Sequence, residues 1–332
     1  MKIAIVKLSA LGDIVHAMVA LQFIKQQYPE LLIDWIVEQG FAGVLQGNPD
    51  INQILPLNLK SLKNNKANIF NEIKKVRHFA KNNYDLVIDA QGLIKSAITS
   101  RLLSSNVAGF DKQSIREKQA TWLYKKQIAC PYDANTIDRN VAVIGQPLDV
   151  HITEQQIINK APFLFYNEEW ESQKDFFKPD LANIIFVIGS TWPSRNYPKE
   201  KYLTVIKGLE ANSLIVWGNK QEKQDAEWIA AKTSKAQVLP KLNFDQLKAV
   251  IASSNLLIGN DTGPTHMAWG LNIPSITLFG PTPVSRVYQT AINKVLKSPS
   301  KVNPFKLDKN DFSITEIKEG EIIMLAKTLL GF

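Results

Sequence analysis

The chain has 332 residues, of which 45% are hydrophobic and 21% charged. That is more than one hydrophobic core usually supports, so two domains of ordinary size are expected. The formal net charge is +8, which admits nucleic acid, phosphorylated substrates or an anionic membrane face as partners. The basic residues are scattered, with no zinc-ligand spacing, RNP-like aromatic signature or long arginine run, and this argues against nucleic acid. The single cysteine, Cys130, excludes an internal disulfide and suits a reducing compartment.

The opening run Ile3–Leu8 soon meets Gly12 and Asp13, so it reads as a buried first strand and not as a secretory signal. No uninterrupted apolar stretch reaches the roughly 18 residues of a spanning helix. The expected location is therefore cytoplasmic, at most peripheral to a membrane. Further strands are expected at Ile33–Val37, Asn52–Pro56 and Leu86–Asp89, and helices at Ile14–Gln27, Ile69–Lys81 and Leu93–Leu103. Ile69, Ile73, Val76 and Phe79 share one helical face, with basic residues between them. The stretch from Asp133 to Pro179 is irregular and proline-bearing, and the domain boundary falls within it, giving domains 1–165 and 166–332.

A second series follows, with strands at Ile184–Ile188, Ser213–Trp217, Leu256–Gly259 and Ser275–Phe279. Its helices are expected from about Lys199, at Gln221–Lys232, at Asn243–Ala252, from Gly263 to Trp269 and at Ile314–Leu330. Alternating strands and helices predict an α/β fold with two doubly wound parallel sheets. Ligands of such folds bind at the carboxyl ends of the strands, here in a cleft between the two halves.

Three loops carry candidate chemistry. Lys7–His16 follows the first strand but contains only Gly12, so it lacks the glycine fingerprint of a dinucleotide site. It offers Asp13 at a helix start, where the dipole favours the ionised form and a carboxylate can take a proton from an attacking hydroxyl. Ordinary helix capping fits the same pattern. Gly259–His266 follows an apolar strand and opens a helix through Gly263 and Pro264, leaving N–H groups suited to a diphosphate. Capping by Asp261 or Thr262 fits equally. Gly189–Pro198 combines hydroxyls with Arg195, which is phosphate-ligand chemistry or a solvated connection. No two aspartates are separated by a single residue, and His16, His78, His151 and His266 have no metal-ligand spacing.

These loops resemble a known family. Lys7–His16 is similar to the amino-terminal motif of the ADP-heptose:lipopolysaccharide heptosyltransferases, glycosyltransferase family nine. The stretches 34–42 (DWIVEQGFA), 84–97 (YDLVIDAQGLIKSA) and 261–266 (DTGPTH) resemble the heptosyltransferase I branch of that family. The resemblance runs from residue 1 to about 285 and weakens afterwards.

It implies a GT-B fold, in which the first domain binds the acceptor and the second binds the donor, with the last helix packing back on the first. It also implies metal-independent, inverting transfer of heptose from ADP-L-glycero-β-D-manno-heptose to the first Kdo of Kdo-lipid A, with no cofactor. The protein would act as a monomer at the cytoplasmic face of the inner membrane. Asp13 matches the catalytic base. Ser9, Gly12, Ser190, Thr191, Arg195, Glu222, Asp261, Thr262, Gly263 and His266 match donor-binding positions, with Arg195 where the family has a lysine. Lys60, Lys63 and Arg116 match acceptor-binding positions, while Asn64 replaces a basic residue found in a related type. The alternatives are heptosyltransferase II or another core sugar transferase of the same family, and a non-enzymatic nucleotide-binding or membrane-surface protein.

Overall fold

Twelve strands of three to seven residues, most of them apolar runs, are present among the described residues, all paired in parallel. Parallel strands covered on both faces need continuous rather than alternating hydrophobicity, which is what Ile3–Val6 and Leu256–Ile258 supply. A computed structural model describes residues 1–167 and 174–331 of the chain. Contacts divide it into two units, Met1–Phe165 and Tyr166–Phe332.

The first unit contains β1 (Lys2–Val6), α1 (Leu11–Gln27), β2 (Leu32–Glu38), β3 (Gln53–Leu57), α2 (Asn68–Phe79), β4 (Leu86–Asp89) and α3 (Ile94–Leu103). It continues with β5 (Val107–Phe110), β6 (Lys126–Ile128), α4 (Thr136–Gly145) and α5 (Glu154–Ile158). The strand order is β3-β2-β1-β4-β5-β6. Right-handed crossovers put α1 on one side of this sheet and α2 and α3 on the other. Accordingly α1 packs against α4, and α3 packs against α2 and against a 3-10 turn at Lys118–Leu123.

The second unit contains β7 (Ala182–Val187), α6 (Lys199–Lys207), β8 (Ala211–Val216), α7 (Lys220–Ala230), β9 (Ala236–Val238) and α8 (Phe244–Ala252). Then come β10 (Leu256–Asn260), α9 (Gly263–Gly270), β11 (Ser275–Phe279), β12 (Asn293–Lys297) and α10 (Glu319–Leu330). Its order, β9-β8-β7-β10-β11-β12, repeats that of the first sheet strand for strand. In both sheets the first strand therefore lies beside the fourth.

Some expectations shift. The predicted helix at Ile314–Leu330 is a 3-10 turn at Ser313–Glu316 followed by α10. That helix packs on α6, β10 and β11, with Ile322 and Ala326 in the core of its own unit. The irregular stretch after Asp133 contains α4, capped by the Asn135 side chain accepting the Ile137 N–H.

Candidate active site

In the first unit, the loop after β1 is tied to the end of its neighbour β4. The Gln91 Oε1 accepts the N–H groups of Leu8 (3.0 Å) and Ser9 (2.9 Å). Gln91 is itself set by Asp89, whose Oδ1 accepts the N–H groups of Gln91 (2.9 Å) and Gly92 (3.1 Å). The Asp89 Oδ2 accepts the hydroxyls of Ser96 (2.8 Å) and Tyr124 (2.7 Å). The Tyr124 ring reaches it only because β5 carries glycine at 109, where a Cβ would stand 2.5 Å from the ring. Burial pushes the Asp89 carboxyl above the usual carboxylate range, against the pull of these neutral donors.

Asp13 stands in the first turn of α1, half-buried beside Gly12. Its Oδ2 accepts the Ala10 N–H at 3.2 Å, so it does cap the helix, while Oδ1 makes no hydrogen bond among the described residues. The same carboxylate is thus fixed in direction and open to a proton donor. Beneath it, the buried Lys7 Nζ donates to the Ala90 carbonyl at 2.8 Å. Burial lowers the Lys7 pKa, and the charges of Asp13 and Asp89 oppose that shift. Lys7 and Gln91 lie inside recognised motifs, but their roles depend on contacts more than 80 residues apart.

The basic residues assigned to an acceptor leave the carboxyl ends of the same sheet. Lys60 follows β3, with its ammonium 4.3 Å from the Phe41 ring centroid and its N–H donated to the buried Glu38 carboxylate at 3.1 Å. Arg116 follows β5 and is exposed, 3.6 Å from Glu117. Lys63 ends the 3-10 turn Leu59–Lys63, and its side chain lies outside the described residues.

In the second unit, the loop after β7 is held by the fourth strand in the same way. The Asn260 Oδ1 accepts the Tyr197 N–H (3.1 Å) and the Tyr202 hydroxyl (3.0 Å), and its amide donates to the Ile188 carbonyl (2.9 Å). This fixes Gly189–Pro198, which carries Ser190, Thr191 and Arg195. The Arg195 guanidinium donates to the Thr191 hydroxyl at 2.9 Å, lies 4.9 Å from the Trp192 ring centroid and meets Asp261 at 3.3 Å.

Asp261 is buried and gathers three partners: His266 Nε2 at 3.0 Å, Arg195 at 3.3 Å and Arg286 at 3.9 Å. Burial alone would raise its pKa. The His266 hydrogen bond and the charges of Arg286, His266 and Arg195 outweigh burial and hold the carboxyl well below the usual range. Asp261 is therefore the hub that aims the cations, and its own oxygens are occupied. Arg286, unremarked in the sequence, has no hydrogen bond to its Nε among the described residues. Thr262 occupies the N-cap position of α9 without a side-chain cap hydrogen bond, and the first ladder bond runs from the His266 N–H to the Thr262 carbonyl at 3.2 Å. The N–H groups of Gly263 and Thr265 precede that ladder and point from the positive end of the helix.

Beside this cluster, a pocket of about 410 Å³ brings together Ser190, Thr191, Glu222, Asn219, Lys199 and Asp225. The Glu222 carboxylate accepts the Gly218 N–H (2.6 Å) and the Asn219 amide (2.6 Å) beyond the end of β8. A Cβ at Gly189 would sit 2.1 Å from the Glu222 carboxyl carbon, so glycine is what admits the acid there. Lys199 and Asp225, joined at 2.7 Å, complete one wall. Among the described residues no group of three or more His, Cys, Asp or Glu side chains is placed to hold a metal ion. No helix among them is long and apolar enough to cross a membrane.

Comparison with known proteins bears on this arrangement. The model of glycosyltransferase family 9 (heptosyltransferase) matches residues 73–304. Lipopolysaccharide heptosyltransferase 1 of Campylobacter coli is 36% identical, covering 100% of this chain and 99% of its own. The protein of that name from Pseudomonas aeruginosa is 30% identical over 85% of this chain and 79% of its own. Among solved structures, E. coli heptosyltransferase WaaC with ADP aligns at a TM-score of 0.81 and 24% identity, covering 99% of this chain and 100% of that one. The shared fold is the GT-B pair of Rossmann-like domains.

Proposed function

Because the chain belongs to glycosyltransferase family 9, the heptosyltransferases, we propose that it transfers L-glycero-D-manno-heptose from ADP-L-glycero-β-D-manno-heptose to the first Kdo of Kdo-lipid A. The transfer inverts the anomeric centre, uses no metal or other cofactor, and is carried out by a monomer peripheral to the inner membrane. The observation that carries the donor assignment is the Asp261 hub, which holds Arg195 and Arg286 beside the free N–H groups of α9. Cations and a helix N-terminus converging on one spot suit a diphosphate leaving group. Glu222, following the second strand of its Rossmann-like unit, stands where such folds place a carboxylate against ribose hydroxyls.

On this reading Asp13 takes the proton of the attacking Kdo hydroxyl as its oxygen bonds to the anomeric carbon. The bond from that carbon to the ADP phosphate oxygen breaks, and Arg195, Arg286 and the α9 N–H groups neutralise the ADP released. Ser190 and Thr191 supply hydroxyls to the donor, and Lys60, Lys63 and Arg116 meet acidic groups of the acceptor.

ADP release from ADP-heptose and Kdo-lipid A in the presence of EDTA tests the proposal. The expected result is robust release by the wild type and a drop of about 10²–10⁴-fold in kcat for Asp13→Asn, with the donor KM little changed. Equal rates for the two proteins would remove Asp13 from the chemistry. Release only with another acceptor or nucleotide sugar would keep the family and replace the substrates.

A further inference from the structure

The excess positive charge of this protein is concentrated in one stretch of the chain. Residues 59–128 hold fourteen Lys and Arg against five Asp and Glu, more than the chain's whole formal excess of +8. Of those acids, Glu72 and Asp89 are buried, and Glu117 is engaged by Arg116 and the Ile94 N–H. The stretch contains β4, β5 and β6 and the elements on one side of the first sheet, where α2 packs on α3 and α3 on the turn Lys118–Leu123. Lys66, Lys74, Lys95, Arg101, Lys118 and Lys125 are exposed there.

Large apolar side chains stand among these cations. Trp122 is 80% exposed, Phe70 76%, Ile98 49% and Ile94 41%. Ile94 and Ile98 lie one turn apart on α3, and Trp122 projects from the turn packed beside that helix, while its neighbours Ala120 and Thr121 are buried. Such side chains cost solubility unless they are covered. A nucleic-acid surface would offer hydrogen-bonding planes and lysines without an aliphatic ridge. Exposed isoleucines, a phenylalanine and a tryptophan on elements that also expose lysines match a bilayer interface, where indoles settle at headgroup depth and lysines meet anionic lipid.

We infer that the side of the first unit formed by α2, α3 and the Lys118–Leu123 turn docks on an anionic phospholipid surface, with Trp122 and Ile98 inserted and the surrounding lysines on the headgroups. This gives the peripheral location proposed above a defined surface and rests on that reading for its setting. The vesicles used to test it carry no acceptor and no nucleotide sugar, so its failure leaves heptosyl transfer standing.

The full chain is co-sedimented with phosphatidylcholine vesicles with and without phosphatidylglycerol. Binding at least about tenfold tighter to the anionic vesicles, weakened by added salt, is the expected result. Trp122→Ser with Ile98→Ser should lower anionic-vesicle binding about tenfold, and Lys95→Glu with Lys118→Glu should do the same. Both variants should keep the wild-type melting temperature and the wild-type rate on acceptor dispersed in detergent. Equal binding to both vesicle types, or anionic binding untouched by both double variants, overturns the inference. Tight binding to a nucleic-acid duplex that the Trp122→Ser, Ile98→Ser variant retains, with no vesicle binding, would reassign the surface.

Discussion

The two units repeat one strand order, and each buries a carboxylate at the carboxyl end of its fourth strand: Asp89 as the last residue of β4 and Asp261 directly after β10. In each unit an amide from the same strand end, Gln91 or Asn260, pins the loop after the first strand. The partners of the two acids differ. Asp89 meets two backbone N–H groups and two hydroxyls, all neutral, and burial raises its pKa. Asp261 meets His266, Arg195 and Arg286, and its pKa falls. The same strand end in one topology thus serves a neutral scaffold in one unit and a cation-aiming hub in the other. What distinguishes them is the charge of the donors, and the fold does not dictate it.

The sharpest way to break that comparison is to replace each acid by its amide. Asp261→Asn leaves the cations around a neutral side chain and places an amide donor among donors. Unfolding in urea should show a loss of about 3–5 kcal/mol. A carboxyl with a depressed folded pKa gives its full stabilisation above the ordinary carboxylate pKa and forfeits it as pH falls towards the folded value. The gap between Asp261→Asn and wild type should therefore be constant near neutrality and shrink below about pH 4. A constant gap across that range would contradict the ionised hub.

Gln91→Ala should come next, because it removes the acceptor for two N–H groups in the loop carrying Asp13. About a tenfold fall in kcat with little change in KM is expected, and Gln91→Glu, which keeps an acceptor oxygen, should restore part of it. Matched losses in kcat and thermal stability, without rescue, would mean that Gln91 only holds the fold together.

The smallest effect belongs to Asp89→Asn. An asparagine oxygen can still accept both N–H groups while its amide donates to the Ser96 and Tyr124 hydroxyls, so the cost should stay below about 1 kcal/mol. The pH trend runs opposite to that of Asp261. A carboxyl with a raised folded pKa weakens the folded state as pH climbs from its unfolded value, so Asp89→Asn should gain on wild type as pH rises above about 4. Parallel pH profiles for the two amide variants would erase the distinction between the sites.

Much of this architecture was legible in the chain because parallel strands need unbroken apolar runs and the first loops carry unusual residues at helix starts. Four strands are not legible in the pattern: β6, β9 and β12 are edge strands that carry Lys126, Gln237 and Lys294 and need little hydrophobicity, and β5 is a run of only four residues that includes a glycine. The loops around Asp13, Arg195 and Asp261 could be found from local pattern. The residues that aim them could not: Gln91 acts on residues 82 and 83 positions away, and Asn260 on residues 58 to 72 away. Arg286 sits in a 3-10 turn of no motif and is joined to Asp261 only by strand adjacency. The position of Asp261 behind the cations follows from burial that no spacing reveals.

The uneven charge of the first unit has a kinetic consequence. Outside residues 59–128, that unit carries nine Asp and Glu against five Lys and Arg. The positive excess of that unit thus lies wholly within residues 59–128, and the rest of it carries an excess of acid. Such a body is an electric dipole, and near an anionic plane it experiences torque as well as attraction. Within a screening distance of roughly 8 Å at physiological salt, it turns its basic side forward before any side chain touches lipid. Collisions then begin in the productive orientation, and raising the ionic strength slows arrival more than it weakens a docked indole.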